Sequence, residues 1–548
     1  MPTRVWNSVA AFVIGASLLA TVGLAGPHAK KGGTLRVSGT FELDSVDPAL
    51  AYFADSWWLE FATCAKLYNN PDKPAPEGTI VIPEVAKGFP KVSRDGKTQT
   101  IELKRAYRFH TGQRITAANF VAAFNRDANP KMQSPTVAAG YLNEIVGANA
   151  VIRGKARRIS GVKALGSYTL QIRTTGPLHD LAARLTMPFF CPIATNTPLR
   201  EISNPLGSGP YYIASRVRNR QIVLARNPFY RGPRPANVNR VVWTIGAGRE
   251  ACRAAVERDE VDYCVGRSLG PTADREIAAK YGINRQGGRF FFDPRLQTFF
   301  FAFNHDRPAF KGFGQIPLKQ AINWALDRRA LVGAVGFLGG KRTDQILPPT
   351  MTRAASIYPL GPVTEPRLVT ARALLAKARV KPKRLVLYAP SDRPLPFPAW
   401  AQIFQFNLKR LGIDVEIKYF PFGVVAEKAG IRGEPFDVAI LAWSVDYADP
   451  ITFFGPLLNG NNLTPTGNLN LAHFDRPKYN REIERIDRLT GVARRRAWAE
   501  LDVEMMRNDP PWAPFMNGAQ RDFVSKSFGC YLFQPVIGDF DIAAACKK

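Results

Sequence analysis

Few residues of this chain are spaced for catalysis. Its five histidines, His28, His110, His179, His305 and His473, stand far apart, whereas imidazoles that share a metal ion usually recur within a few residues. There is no His-Glu-x-x-His pair and no Cys-x-x-Cys spacing, so zinc hydrolysis and dithiol redox chemistry have no sequence support. Gly207-Ser208-Gly209-Pro210-Tyr211 has the glycine content of a phosphate loop. It fails as one because Pro210 and the strand-like Tyr211-Tyr212-Ile213 follow, where a helix N-terminus is needed. No metal site, no cofactor and no catalytic group is therefore expected. Binding chemistry remains, and its best candidate is Trp443-Ser444-Val445-Asp446-Tyr447-Ala448-Asp449-Pro450. This segment follows an apolar run at 436–443, at the carboxyl end of a predicted strand, where ligands of α/β proteins commonly bind. It offers a carboxylate, Asp446, between two rings with apolar faces and polar tips, Trp443 and Tyr447. The packing alternative is that Asp446 caps a turn and Trp443 fills a core; Asp449-Pro450 reads as a turn.

The elements that must hold this segment alternate along the chain. Residues 162–174, 221–226 and 240–245 read as strands, and 250–258 as a helix leading into a short strand at 261–264. Further on, 298–304 is a strongly apolar strand, and 317–331 a helix with Leu318, Ile322, Ala325 and Leu326 on one face. Strand 384–389, helix 400–411 and strand 412–419 make a β-α-β unit. Late helices are expected at 477–489 and 493–506. Strands and helices alternate on both sides of Glu250, which implies two α/β lobes with an insertion in the first. A chain of 548 residues is too long for one core.

The N-terminus reads as a secretory signal. Arg4 gives a charged start, 9–20 is apolar and uncharged, and Gly23 and Ala25 have the spacing of a cleavage site after Ala25. The apolar run is short for a membrane span of ~20 residues. The first cysteine is Cys64, so lipid attachment at the mature N-terminus is not expected. Six cysteines in an exported chain can pair. Cys252 and Cys264 lie close, Cys530 and Cys546 share the C-terminal region, and Cys64 and Cys191 remain, but six thiols allow 15 connectivities. The net charge of +29 favours anionic partners and acidic membrane surfaces. Nucleic acid is not expected as a partner, because the basic residues are scattered and no nucleic-acid motif accompanies them.

Several ordered phrases carry a resemblance. They are Lys31-Gly32-Gly33-Thr34-Leu35-Arg36-Val37, Tyr107-Arg108-Phe109-His110-Thr111-Gly112 with Thr116-Ala117, Gly207-Ser208-Gly209-Pro210-Tyr211, Arg226-Asn227-Pro228-Phe229-Tyr230, Ala325-Leu326-Asp327-Arg328 and the Trp443 to Pro450 segment. Their number and order resemble the family 5 extracytoplasmic solute-binding proteins of ABC importers, the oligopeptide, dipeptide and nickel group. The resemblance implies an α/β, periplasmic-binding-protein-like fold of two lobes (class II, large type) with an extra small domain and a ligand cleft between the lobes. It implies a signal peptide at 1–25, first-lobe segments at 30–75 and 169–247, a small inserted domain at 76–168, a second lobe at 248–511 and a return segment at 512–548. The ligand would be a small peptide or peptide-like solute, captured by lobe closure and passed to permease subunits by a periplasmic monomer that is not an enzyme.

Asp446 matches the family aspartate that receives a peptide's α-amino group, with Trp443 and Tyr447 beside it. The loop 43–58 faces the cleft in the family, which brings in Tyr52 and Trp57; Phe420-Pro421-Phe422 is a further candidate. His110 would be structural, and Thr116 can cap the helix that follows. No secure match exists for a residue receiving the peptide's carboxylate, although Arg393 lies in the right region. The wider family also includes nickel and haem binders. Two rival readings are a secreted α/β hydrolase, which needs a nucleophile and a base, and a basic envelope protein binding an anionic polymer, which would lose its partner steeply with salt.

Overall fold

A computed structural model describes residues 31–39, 42–265, 270–352, 365–393 and 395–548. The expected signal peptide lies outside the described residues. The chain enters through β1 (Thr34–Gly39), whose Leu35 and Val37 point into the core while Thr34 and Arg36 on the other face are half-buried. Helix α1 (Ala54–Thr63) follows, nearly all of it buried. An inserted four-stranded sheet comes next, made of β2 (Lys91–Val92), β3 (Thr98–Glu102), β4 (Val162–Gly166) and β5 (Thr169–Arg173), in the order β2-β3-β5-β4. Helix α2 (Ala117–Asp127) packs on it. Its capping box is formed by Thr116 and Asn119, which satisfies two N–H groups at the helix start.

The chain then returns through β6 (Tyr211–Val217), β7 (Gln221–Arg226), β8 (Arg240–Ile245), α3 (Arg249–Glu257) and β9 (Tyr263–Cys264). The first-lobe sheet has the order β9-β1-β8-β7-β6, with β1 parallel to both β8 and β9. The second sheet is built from β10 (Phe290–Phe303), β11 (Gly340–Arg342), β12 (Arg384–Pro390), β13 (Asp414–Phe420), β14 (Val438–Ser444) and β15 (Trp512–Phe523), in the order β11-β15-β10-β14-β12-β13. Both faces of β10 are covered at 299–303, which explains the apolar run Phe299-Phe300-Phe301-Ala302-Phe303. Phe300 stacks on Trp512 at 3.8 Å, whereas Phe299 and Phe301 pack on the opposite side against Trp400 and Phe404.

Two strands sit in a different sheet from the one their position in the chain suggests. β9 pairs with β1, so the helix and strand after residue 248 complete the first lobe. β15 pairs with β10, so the segment after residue 512 first completes the second lobe. Phe290–Pro294 and Ala519–Phe523 are hydrogen-bonded to each other as the two chain crossings, with a register shift between Pro294 and Thr298. Local periodicity marks a strand but carries no information about which sheet it joins.

All six cysteines are paired, as Cys64–Cys191, Cys252–Cys264 and Cys530–Cys546. The second pair ties α3 to β9 across 12 residues. Replacing both of these cysteines by serine is expected to lower stability by about 2–4 kcal/mol, read from the denaturant midpoint. Among the described residues, no helix is long and apolar enough to cross a membrane.

Candidate functional site

A cavity of about 300 Å³ lies between the lobes. Tyr52, Phe53 and Trp57 of the α1 region form one wall, and Phe300, Trp443 and Trp512 of the second sheet form another. The charged residues on its surface are Asp55, Arg295, Arg393 and Asp446. The loop before α1 is held by Asp44, whose carboxylate accepts the N–H groups of Tyr52 and Phe53 at 2.8 and 3.0 Å and the hydroxyl of Ser56. Tyr52 therefore projects from a fixed backbone. Its ring meets Trp57 at 5.6 Å, Phe189 at 5.4 Å and, across the cleft, Trp443 at 6.1 Å.

Asp446 is 6% exposed and lines the cavity just beyond the end of β14. Its Oδ2 accepts the Tyr52 hydroxyl at 3.2 Å and the Tyr141 hydroxyl. No lysine or arginine pairs with it among the described residues. Burial pushes its carboxyl up to about 7, against the two phenol hydrogen bonds, which favour ionisation. The site thus holds a buried carboxyl that titrates near neutrality and, among the described residues, is paired with no cation. An entering ammonium would supply the charge-assisted partner that such a group requires.

The structure brings four of the five expected site residues to the cavity: Asp446, Trp443, Tyr52 and Trp57. The indole Nε1 of Trp443 is buried without a hydrogen-bond partner among the described residues, whereas that of Trp57 donates to the Ala51 carbonyl at 2.8 Å. Tyr447 is placed elsewhere. It is fully buried, does not line the cavity, and donates its hydroxyl to Asp180 Oδ2 at 2.6 Å. Of the Phe420 to Phe422 segment, only Phe422 reaches the cavity wall. Arg393 lines the cavity as well, with its guanidinium 4.9 and 4.7 Å from the ring centres of Phe53 and Phe422. Tyr141, from the inserted region, has no motif that would have singled it out.

The remaining motifs are structural. His110 Nδ1 accepts the Gly207 N–H at 3.2 Å, and its ring stacks on Tyr212 at 4.2 Å. A Cβ at Gly209 would stand 2.6 Å from Cys64 N and 2.7 Å from Ala62 O, so this glycine allows the loop to approach the end of α1. One spacing corrects the expectation of no catalytic motif. Gly266-Arg267-Ser268-Leu269-Gly270 is a Gly-x-Ser-x-Gly sequence between β9 and the helix Pro271–Tyr281. Its residues 266–269 lie outside the described residues.

Comparison with known proteins decides the family. Residues 81–465 match the model described as bacterial extracellular solute-binding proteins, family 5 middle. The chain belongs to this family. The periplasmic oligopeptide-binding protein OppA of Escherichia coli K12 is 24% identical over 438 residues, covering 77% of each protein. The heme-binding protein A of Haemophilus influenzae is 22% identical over 486 residues, covering 83% of this chain and 82% of that protein. Among solved structures, a clavulanic acid biosynthesis oligopeptide binding protein 2 superposes with a TM-score of 0.84 at 26% identity, over 95% of this chain and 96% of the other. The fold is that of the two-lobe family 5 solute-binding proteins, with the cavity between the lobes. The named relatives are binding proteins.

Proposed function

We propose that this chain is the periplasmic receptor of an ABC importer and captures short peptides or peptide-like solutes with a free amino end. Asp446 carries this reading, as a cavity-facing buried carboxylate that has hydrogen-bond donors but, among the described residues, no paired cation. Two relatives named for oligopeptide binding support the ligand class. Another structural neighbour, described as ABC transporter-associated, was solved with the peptide STSA. The cavity volume sits at the low end of ligand pockets, which suits a ligand of few residues, and its aromatic walls suit an apolar side chain. Arg295 and Arg393 place positive charge on the same surface for a carboxylate end.

Closure follows from ligand contacts to both walls, since a ligand shifts an equilibrium only by its differential affinity for the two states. The test is mass spectrometry of small molecules released on denaturing gently purified protein. Peptides at near-equal stoichiometry are expected. A stoichiometric non-peptide ligand such as haem would replace the peptide reading.

A further inference from the structure

The inserted domain carries a feature that ligand capture does not use. From residue 145 to residue 179 there is no aspartate or glutamate, while Arg153, Lys155, Arg157, Arg158, Lys163 and Arg173 all occur. All six are exposed. None takes part in a salt bridge or a side-chain hydrogen bond among the described residues, although many of the chain's other arginines and lysines do. The first four lie on the loop that leads into β4, which is an edge strand. Lys163 pairs with Gln171, and Arg173 lies two residues further along β5. Lys163 and Arg173 therefore share the face of the sheet opposite the buried Val162, Leu170 and Ile172. On the same face, Glu102 is engaged by Lys87 and Lys91. Leu165, also on β4, is 55% exposed beside these charges.

We infer that this face is a docking surface for a bilayer containing anionic phospholipid. Charge complementarity is the main argument. Six cations without carboxylate partners, spread over a loop and a sheet edge, match an extended array of phosphates better than a single compact anion. The exposed leucine fits the apolar side of a headgroup layer. The patch has no exposed aromatic ring aligned with its cations, as stacking on single-stranded nucleic acid would require. Among the described residues, none between 62 and 294 lines the ligand cavity, so docking and ligand capture use separate surfaces. Such a surface would concentrate the protein where a membrane transporter is found.

The test compares the full chain with the variant Arg153→Gln, Lys155→Gln, Arg157→Gln, Arg158→Gln by co-sedimentation. The vesicles are either phosphatidylglycerol mixed with phosphatidylcholine or phosphatidylcholine alone. Comparing chains that differ only in the loop isolates its contribution from that of the apolar N-terminus. At low salt each cation removed is expected to weaken binding to the anionic vesicles about fivefold, so the variant with four removed loses roughly 600-fold. Salt should abolish the difference. Equal partitioning of the two chains into anionic vesicles would overturn the inference. So would binding to heparin or duplex DNA that depends on the four residues while vesicle binding does not. Unchanged unfolding of the variant confirms that the fold is intact.

Discussion

Asp446→Asn is expected to weaken binding of a peptide with a free amino end by about 1.5–3 kcal/mol, roughly 10- to 150-fold, the usual worth of a hydrogen bond to a charged group. The amide keeps the shape and still accepts from Tyr52 and Tyr141, so the loss isolates the charge. The same peptide with an acetylated N-terminus should bind wild type and variant alike. Calorimetric titration measures both. A second signature is the pH dependence. The carboxyl titrates at about 7 in the empty protein, and only its ionised form attracts an ammonium. The peptide's own α-amino group loses its proton above about pH 8, so affinity for the amine should peak at about pH 7–8 and fall up to tenfold per unit on the acid side, with proton release on binding near neutrality. The Asp446→Asn variant should lose this slope.

The linkage to stability runs in the opposite direction. The folded-state pKa of Asp446 is raised above its ordinary value of 3.8, so the empty protein binds this proton more tightly folded than unfolded. That contribution is fully present below the unfolded value and is lost as pH rises through 7. Asp446→Asn should consequently stabilise the empty protein at pH 8 relative to wild type. A melting comparison at pH 5 and pH 8 without ligand checks this, and an equal effect at both pH values would count against a buried, cation-free carboxylate.

Much of the fold was legible in the residues because it depends on local pattern. Residues 221–226 and 240–245 form the strands read there, β7 and β8, and the order of several phrases tied the elements to one family. Alternation over 162–174 marked one strand where the chain forms the β4–β5 hairpin, and the apolar run 298–304 marked only the second half of β10. Helix breaks were harder to read. Residues 317–331 read as one helix, but the chain forms two, Ile316–Ala325 and Arg328–Val335. Leu326 is extended between them, and Asp327 Oδ1 accepts the Ala330 N–H at 2.8 Å to start the second. Asp is a good capping residue as well as a poor mid-helix one, and periodicity alone did not choose between these roles.

The site was legible where a motif and a strand end coincided, at Trp443 and Asp446. Tyr447 shares the motif but not the cavity, because three residues beyond the end of β14 its hydroxyl is drawn to the buried Asp180 carboxylate instead. Tyr141 lies 305 residues from Asp446. Nothing in its own neighbourhood signals a partner that only the tertiary fold supplies.

Arg184→Met should be among the most destabilising single changes in the chain, at about 3–5 kcal/mol. Arg184 is almost fully buried and binds Asp180 at 3.2 Å and Glu144 at 2.9 Å on the first-lobe side. Asp180 in turn accepts the Tyr447 hydroxyl from the second lobe. Close by, Arg494 pairs with Asp449 at 3.1 Å and Asp487 at 2.7 Å. The Arg184 and Arg494 guanidiniums, together with the Tyr447 hydrogen bond, hold the Asp180 carboxyl below its ordinary range despite burial. Removing Arg184 leaves a buried carboxylate short of its nearest cation, which is the costly way to break an ion pair. Methionine fills much of the volume, so the loss reports the charge more than a cavity. Tyr447→Phe is the finer probe. It removes one cross-lobe hydrogen bond without touching the cavity, and should cost about 1–3 kcal/mol because Asp180 loses a donor. If Tyr447 contacted the ligand instead, the phenylalanine variant would keep its ligand-free stability and lose affinity. Unfolding of the empty protein, measured beside peptide titration, separates a clasp between the lobes from a residue of the binding site.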